Sequence, residues 1–194
     1  MVHGPTIETE RLRLRRWRES DLQPFAAINA DPAVMEFFPY PLDRERSDAL
    51  AAAADGAFDR DGYGLFAVEV RGGDGFIGFV GLSFVGGDLP CQGSVEIGWR
   101  LARHVWGRGY ATEAAQACLP FAFEECGRSE LVSFTSVLNE RSQQVMRKIG
   151  MHRDPGGDFE HPSIEPGHRL RPHVLYRLTA EEWRRSARDA GGAG

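Results

Sequence analysis

The sequence predicts a mixed α/β (α+β) fold: one mostly antiparallel mixed sheet of about seven strands, with helices on both faces. Three observations carry this. Runs rich in β-branched and aromatic residues alternate with a two-residue period, at "RLRLRRW", "YGLFAVEV", "GFIGFVGLSFV" and "GSVEIGWRLA". The last three follow one another across glycine-rich turns, which makes an antiparallel meander the economical connection. Stretches with helical spacing lie between strand runs on both sides of that meander, so helices must cover both faces of the sheet.

Taken in order, "RLRLRRW" opens the sheet, with Leu12 and Leu14 inward between arginines. "SDLQPFAAINAD" follows as a short helix, with Ser20 and Gln23 at capping-box spacing and Asp31-Pro32 stopping it. "VMEFFPYP" is aromatic and proline-broken; such a segment packs as a lid or lines a site. In "DRERSDALAAAADGAF" Asp43 caps a second helix whose inner face takes Leu50, Ala53, Ala54, Ala57 and Phe58. After the meander a long helix runs from about Tyr110 to Cys126, burying Ala115, Leu119, Ala122, Phe123 and Cys126, with Pro120 kinking it. "LVSFTSVL" is a strand. "NERSQQVMRKIGM" is a helix with Asn139 as cap, Val145, Met146 and Ile149 inward and Gly150 at its end, and "HVLYRLT" returns as a strand. One domain over residues 1–183 accounts for this order, with 184–194 a disordered tail ending in "GGAG".

The 194 residues carry a formal charge of −5, with 42% hydrophobic and 26% charged residues. That balance excludes a disordered chain and a membrane protein, and it argues against nucleic acid as a partner, which needs clustered Lys and Arg. It suits a cationic substrate. The start "MVHGPTIETERLRL" has neither the basic head nor the apolar core of a secretion signal, so the cytoplasm is the expected location. Three cysteines are too few and too irregular for a disulfide framework or a zinc site, and no metal is expected. Cys118 and Cys126 fit the inner helix face; Cys91 sits near Asp88, which would raise a thiol pKa and leave it unreactive.

The residues that carry chemistry gather around "HVWGRGYATEA". Gly107 and Gly109 let backbone approach a ligand without a Cβ, and the residues after them offer unpaired helix N–H groups at the positive end of a helix dipole. The turn is an anion cradle, or its glycines merely permit a tight turn. A dinucleotide fingerprint would need a third glycine where Thr112 stands, and a Walker loop would need a Gly-Lys-[Ser/Thr] that is absent, so both fail on spacing.

"EIGWRLARHVWGRGYATEA" followed by "VLNERSQQVMRKIGM" resembles the acetyl-CoA-binding core of the GNAT superfamily of N-acetyltransferases, in its RimJ/RimL-like branch. "TERLRLRRWRESD" and "HVLYRLTAEEW" extend the resemblance over nearly the whole chain. It implies a splayed sheet in which "SVEIGWRL" and "LVSFTSVL" part to admit the pantetheine arm of acetyl-CoA. The backbone of Ile97, Gly98 and Trp99 would pair with that arm, and His104, Val105, Trp106, Gly107, Arg108, Gly109, Tyr110 and Ala111 would hold the pyrophosphate through main-chain amides. His104 departs from the Gln or Arg that often opens this motif; it would meet a phosphate only when protonated, and an exposed strand-end histidine is the alternative.

Acetyl transfer needs a base for the ammonium and an acid for the departing thiolate. Glu96 alternates with Val95 and Ile97 and so leaves the opposite face, next to where the cofactor would lie; the resemblance makes it the base, acting through water. Asn139 and Ser142 are explained by helix capping alone, but by resemblance Asn139 also binds pantetheine and Ser142 is the acid, with water as its alternative. Arg147 and Lys148 would face the phosphates or remain solvated. For the acceptor, Phe37, Phe38, Tyr40, Phe159 and His161 lie on the loops where the family contacts substrate. The reading is therefore direct transfer to a primary amine, a protein N-terminus or a small molecule. The alternative is a non-catalytic acyl-CoA sensor or scaffold. A homodimer is compatible with either.

Overall fold

The computed structural model describes residues 5–73 and 75–191, with side chains through 189. A nine-stranded sheet runs β1-β2-β3-β4-β5-β6-β9-β7, with β8 also paired to β9. The strands are β1 (Ile7–Glu8), β2 (Leu12–Arg15), β3 (Leu65–Val70), β4 (Gly75–Phe84), β5 (Val95–Leu101), β6 (Glu130–Ser136), β7 (His152–Arg153), β8 (Phe159–Glu160) and β9 (Pro172–Thr179). Five α-helices intervene: α1 (Glu19–Ala30), α2 (Arg44–Asp61), α3 (Tyr110–Pro120), α4 (Glu140–Lys148) and α5 (Ala180–Gly191). The two-residue strands β1, β7 and β8 raise the count above the seven expected; they are too short to leave a period in the sequence.

β2 to β5 form the antiparallel meander, each pairing with the next. The alternation of "RLRLRRW" holds in part: Leu12 and Leu14 are fully buried, but Arg15 is buried as well, because it binds Asp21 with two hydrogen bonds (2.7 and 2.9 Å) and Glu69 with one (2.8 Å). Asp21 also accepts the N–H of Arg18 (2.8 Å), and this moves the helix start to Glu19, so Ser20 lies inside α1 and does not cap it. Asp43 does cap α2, accepting the N–H of Arg46 at 2.8 Å. The inner face of α2 takes Ala51, Ala54 and Phe58, while Ala53 is exposed.

The long helix changes type at its proline. Pro120 has no N–H to give, α3 ends there, and the chain continues as a wider π-turn over Phe121–Glu125 in which the N–H of Cys126 reaches the carbonyl of Phe121 (2.9 Å). Gly150, at φ +88°, follows α4 as expected. Residues 184–191, where composition suggested a disordered tail, form most of α5 instead. Thr179 and Glu182 form a capping box (2.9 and 3.2 Å), and Trp183 packs on Phe123 with ring centroids 5.3 Å apart. Residues 192–194 of "GGAG" lie outside the described residues. Cys91 and Cys118 are buried and Cys126 half-buried; desolvation pushes the thiol of Cys91 up and that of Cys118 to about 12, so neither is a nucleophile.

A candidate acetyl-CoA and acceptor site

The sheet opens between β5 and β6. Each of these strands is paired along its whole outer flank, β5 with β4 and β6 with β9. Their facing edges meet at one parallel pair, Glu96 with Val132, and then diverge. Beyond that pair the inward-facing N–H and C=O groups of the two strands look into a gap, an arrangement that calls for a ligand able to act as a strand. The gap continues into a cavity of about 590 Å³ walled by the α1–α2 segment, β5, the glycine turn, β6, α4 and the loop before β9.

The glycine turn forms one end of the cavity. Gly107 and Gly109 have φ of +76° and +82°, a region that L-residues rarely enter. Among the described residues no acceptor meets the N–H groups from 107 to 112, so a row of unpaired donors lines the turn at the start of α3. Arg11 holds the turn from outside: its Nη1 donates to the carbonyl of Arg108 (3.0 Å), its Nε to Glu113 (2.6 Å), and its guanidinium lies 4.7 Å above the Tyr110 ring. Thr9 donates to the same carboxylate (2.6 Å). These contacts, about a hundred residues apart in sequence, leave no local pattern and were not anticipated.

β5 sorts its side chains by parity. Val95, Ile97 and Leu101 enter the core, and Glu96, Gly98 and Arg100 take the other face, where all three line the cavity. Glu96 is half-buried opposite its β4 partner Ser83, and desolvation pushes its carboxyl up to about 8. Its place in the one β5–β6 pair found among the described residues puts a titratable group at the apex of the gap. Gly98 leaves open space there: a Cβ built on it would come no closer than 3.7 Å to any atom, that atom being Oε1 of Glu96.

On the opposite wall Asn139 caps α4, accepting the N–H of Ser142 (3.2 Å) and donating from Nδ2 to Ser142 Oγ (3.1 Å) and Thr135 Oγ1 (3.0 Å). Ser142 Oγ is thus an acceptor toward Asn139, and its own proton is committed to no partner among the described residues.

Of the positions expected to contact the cofactor, Gly98, Trp99, Val105, Trp106, Gly107, Gly109, Tyr110, Ala111, Asn139 and Ser142 line this cavity. Ile97 is fully buried and offers only its backbone; Arg108 is exposed and turned outward. His104 is exposed and borders a separate hollow with Pro24, Ala27 and Asp31. Lys148 lines the cavity, but Arg147 is occupied by Tyr176 (3.0 Å) and Glu140 (3.2 Å). Phe37, Phe38 and His161 reach the cavity. Tyr40 does not: it is exposed beneath Arg46. Phe159 stands behind the wall, stacked on His173 at 5.4 Å. His161 and His173 are both held low by desolvation and so are neutral near pH 7. The N–H of Ser163 donates to Nδ1 of His161 (3.3 Å), which leaves the proton of the neutral ring on Nε2 and makes this histidine a donor. His173, from the same stretch of sequence as Phe159 and His161, also lines the cavity, and Arg100 is a cavity residue that sequence reading did not single out.

A family model described as an acetyltransferase (GNAT) domain matches residues 11–152. The chain belongs to the GNAT acetyltransferase family. It is 30% identical to the uncharacterized N-acetyltransferase YnaD of Bacillus subtilis over 177 residues, 91% of this chain and 98% of that protein. A GNAT-family acetyltransferase structure from Bacillus anthracis superposes with a TM-score of 0.74 at 26% identity, covering 91% of this chain and 99% of the other. RimL, a ribosomal-protein α-N-acetyltransferase in complex with coenzyme A, superposes with a TM-score of 0.73 at 16% identity, covering 90% of this chain and 98% of the other; that likeness is one of fold alone. This GNAT chain is therefore an acyltransferase of a family that uses acetyl-CoA. The gap and the row of free N–H donors fit that cofactor, with β5 and β6 edges for an amide-bearing arm and the turn for a diphosphate. Among the described residues no helix is long and apolar enough to cross a membrane, and no group of three or more His, Cys, Asp and Glu is arranged to hold a metal.

Proposed function

We propose that this protein transfers the acetyl group of acetyl-CoA directly to a primary amine in a ternary complex in the cytoplasm. The observation that carries the proposal is the position of Glu96, a carboxyl of raised pKa at the apex of the β5–β6 gap. Glu96, when ionised, takes the ammonium proton through a water. The free amine attacks the thioester carbonyl, forming the C–N bond. A backbone N–H of β5 facing the gap stabilises the oxyanion. As the C–S bond breaks, Ser142, whose hydroxyl proton is uncommitted, or a water protonates the thiolate and is itself restored by the second proton that the attacking nitrogen releases.

The cavity supports direct transfer because one space is lined both by the strand edge and turn that would take the cofactor and by Phe37, Phe38 and His161, past which the amine would come. RimL is described as acting on a ribosomal protein's α-amine, and a protein N-terminus is one acceptor class; a small-molecule amine is the other. Thiol release measured over amines and amino-terminal peptides tests the reading. Loss of turnover in Glu96→Gln and Ser142→Ala supports the assigned roles, whereas unchanged kcat/KM in both removes them. Acetyl-CoA binding with no thiol release over the panel makes the protein a binding module.

A further inference from the structure

Arg100 is a cation without an anion. Other arginines that enter the packed structure are paired, Arg15 with Asp21 and Glu69, Arg16 with Asp55 and Asp59, Arg177 with Asp154 and Glu130, and half-buried Arg128, which meets no carboxylate among the described residues, spends its Nε on the carbonyl of Cys126 (2.9 Å). Arg100 faces the cavity with no carboxylate in ion-pair range among the described residues, and its Nε is buried and donates to nothing. One hydrogen bond is made, from Nη1 to Oδ1 of Asn29 at 2.6 Å. Asn29 is fully buried and fixed in turn by its bond to Ser47 (2.8 Å), so the guanidinium is oriented by a built support. Phe38 and Phe79 cover the cation at 4.2 and 5.5 Å, which offsets part of its desolvation but uses none of its remaining N–H donors.

An unpaired, desolvated charge is costly, and it is retained at a site that a ligand completes. In a chain of net charge −5 carboxylates are plentiful, yet among the described residues Glu96 is the one acid lining the cavity, beside Arg100, Arg141 and Lys148. Arg141 is already bound to Glu36 at 2.8 Å. Glu96 and Arg100 stand on one face of β5, about 13 Å apart along the strand, with the bare Gly98 between them. The result is a trough with a group for an ammonium at one end and a group for a carboxylate at the other.

We infer that the acceptor is an aminocarboxylate whose carboxylate docks on Arg100 while its amine meets the acetyl group near Glu96. The inference rests on the acetyltransferase reading above and narrows it. A planar guanidinium matches a carboxylate through two parallel hydrogen bonds, whereas a polyamine would be repelled and a neutral peptide segment would leave the charge unbalanced. The net negative charge of the whole protein, which suits a cationic substrate, is overridden by the local field of the cavity.

The test uses the full-length protein with acetyl-CoA and thiol release as readout. Acceptors are α-, β-, γ- and ε-amino acids, each beside its carboxamide and its decarboxylated amine, with spermidine and carboxamide-ended peptides included. The wild type should prefer the carboxylate member of at least one series, and Arg100→Gln should raise the acceptor KM roughly ten- to a hundredfold, leave the carboxamide unchanged and leave the acetyl-CoA KM unchanged. Arg100→Lys should recover part of the preference. Melting of the free protein guards against misfolding: losing an unpaired charge should not lower Tm. Turnover confined to amines without a carboxylate, or a rise in acetyl-CoA KM alone in Arg100→Gln, overturns the inference and leaves the acetyltransferase reading standing, whereas turnover of none of the panel overturns both and leaves a binding module. Absence of any acetyl-CoA effect on Tm in the wild type overturns that reading as well.

Discussion

Arg11 clamps Glu113 across the outside of the glycine turn, with Nε 2.6 Å from Oε2 and Nη2 2.5 Å from the same oxygen. The same guanidinium holds the carbonyl of Arg108, so the residue before β2 sets the shape of a turn made by the loop between β5 and α3. The Arg11 side chain is 43% exposed, so the ion pair itself contributes little stability, on the order of 1 kcal/mol or less. Its effect should fall on binding. Arg11→Ala should raise the acetyl-CoA KM several-fold with acceptor KM and Tm nearly unchanged; steady-state kinetics with each substrate varied in turn checks this.

Glu96 makes a prediction about pH with two arms. As a base it must be ionised, so turnover should rise as pH increases through about 8. Its effect on stability runs the other way: the folded pKa lies above the unfolded value, so its contribution is fully present below about 4.5 and is lost as pH rises through about 8. Glu96→Gln should therefore lose about 10²- to 10⁴-fold in kcat/KM yet match the wild type in Tm near pH 5 and exceed it near pH 9. Rate and melting profiles from pH 5 to 9 read both arms, and a Tm difference independent of pH would contradict a carboxyl raised by desolvation.

Two glycines on neighbouring strands separate fold from function. A Cβ on Gly81 would lie 2.3 Å from the carbonyl oxygen of Gly64 and 2.8 Å from Cα of Leu65, so Gly81→Ala should lower Tm strongly. On Gly98 a Cβ meets nothing closer than 3.7 Å, and Gly98→Ala should melt like the wild type while occupying the space beside Glu96. Its kcat/KM should fall at least tenfold.

Asn139 and Ser142 separate in the same way. Asn139→Ala removes the α4 cap and should cost about 1 kcal/mol of stability as well as activity. Ser142→Ala keeps the Asn139 side chain on the N–H of residue 142, so Tm should hold while kcat falls. An equal loss of Tm in both variants would return Ser142 to a capping role alone.

The parts of this protein legible in its sequence are those set by local chemistry. The capping of α2 by Asp43 and of α4 by Asn139, the glycines after β5 and the parity of Glu96 each follow from residues within one or two turns. Distant contacts decided the rest. Arg15 is buried because Asp21 and Glu69 come to it; α1 starts early because Asp21 reaches back to Arg18; and residues 184–191 are helical behind a capping box and a Trp183–Phe123 contact. Arg100 reads in sequence as one more solvated strand cation, and only α1 and the Phe38 segment folding over β5 make it a cavity residue. His104 illustrates the converse, a motif position that a single turn of 3₁₀ helix over Arg103–Val105 points away from the cavity.

Calorimetric titration of acetyl-CoA into the wild type and into Gly109→Val tests the central claim most directly, since Gly109 combines a φ of +82° with a place in the cradle of free N–H groups. One-to-one binding by the wild type, weakened at least tenfold in a variant that keeps its circular dichroism, is the predicted result. No heat with the wild type, or equal affinity in the variant, would contradict the assignment of the β5–β6 gap and its glycine turn to acetyl-CoA.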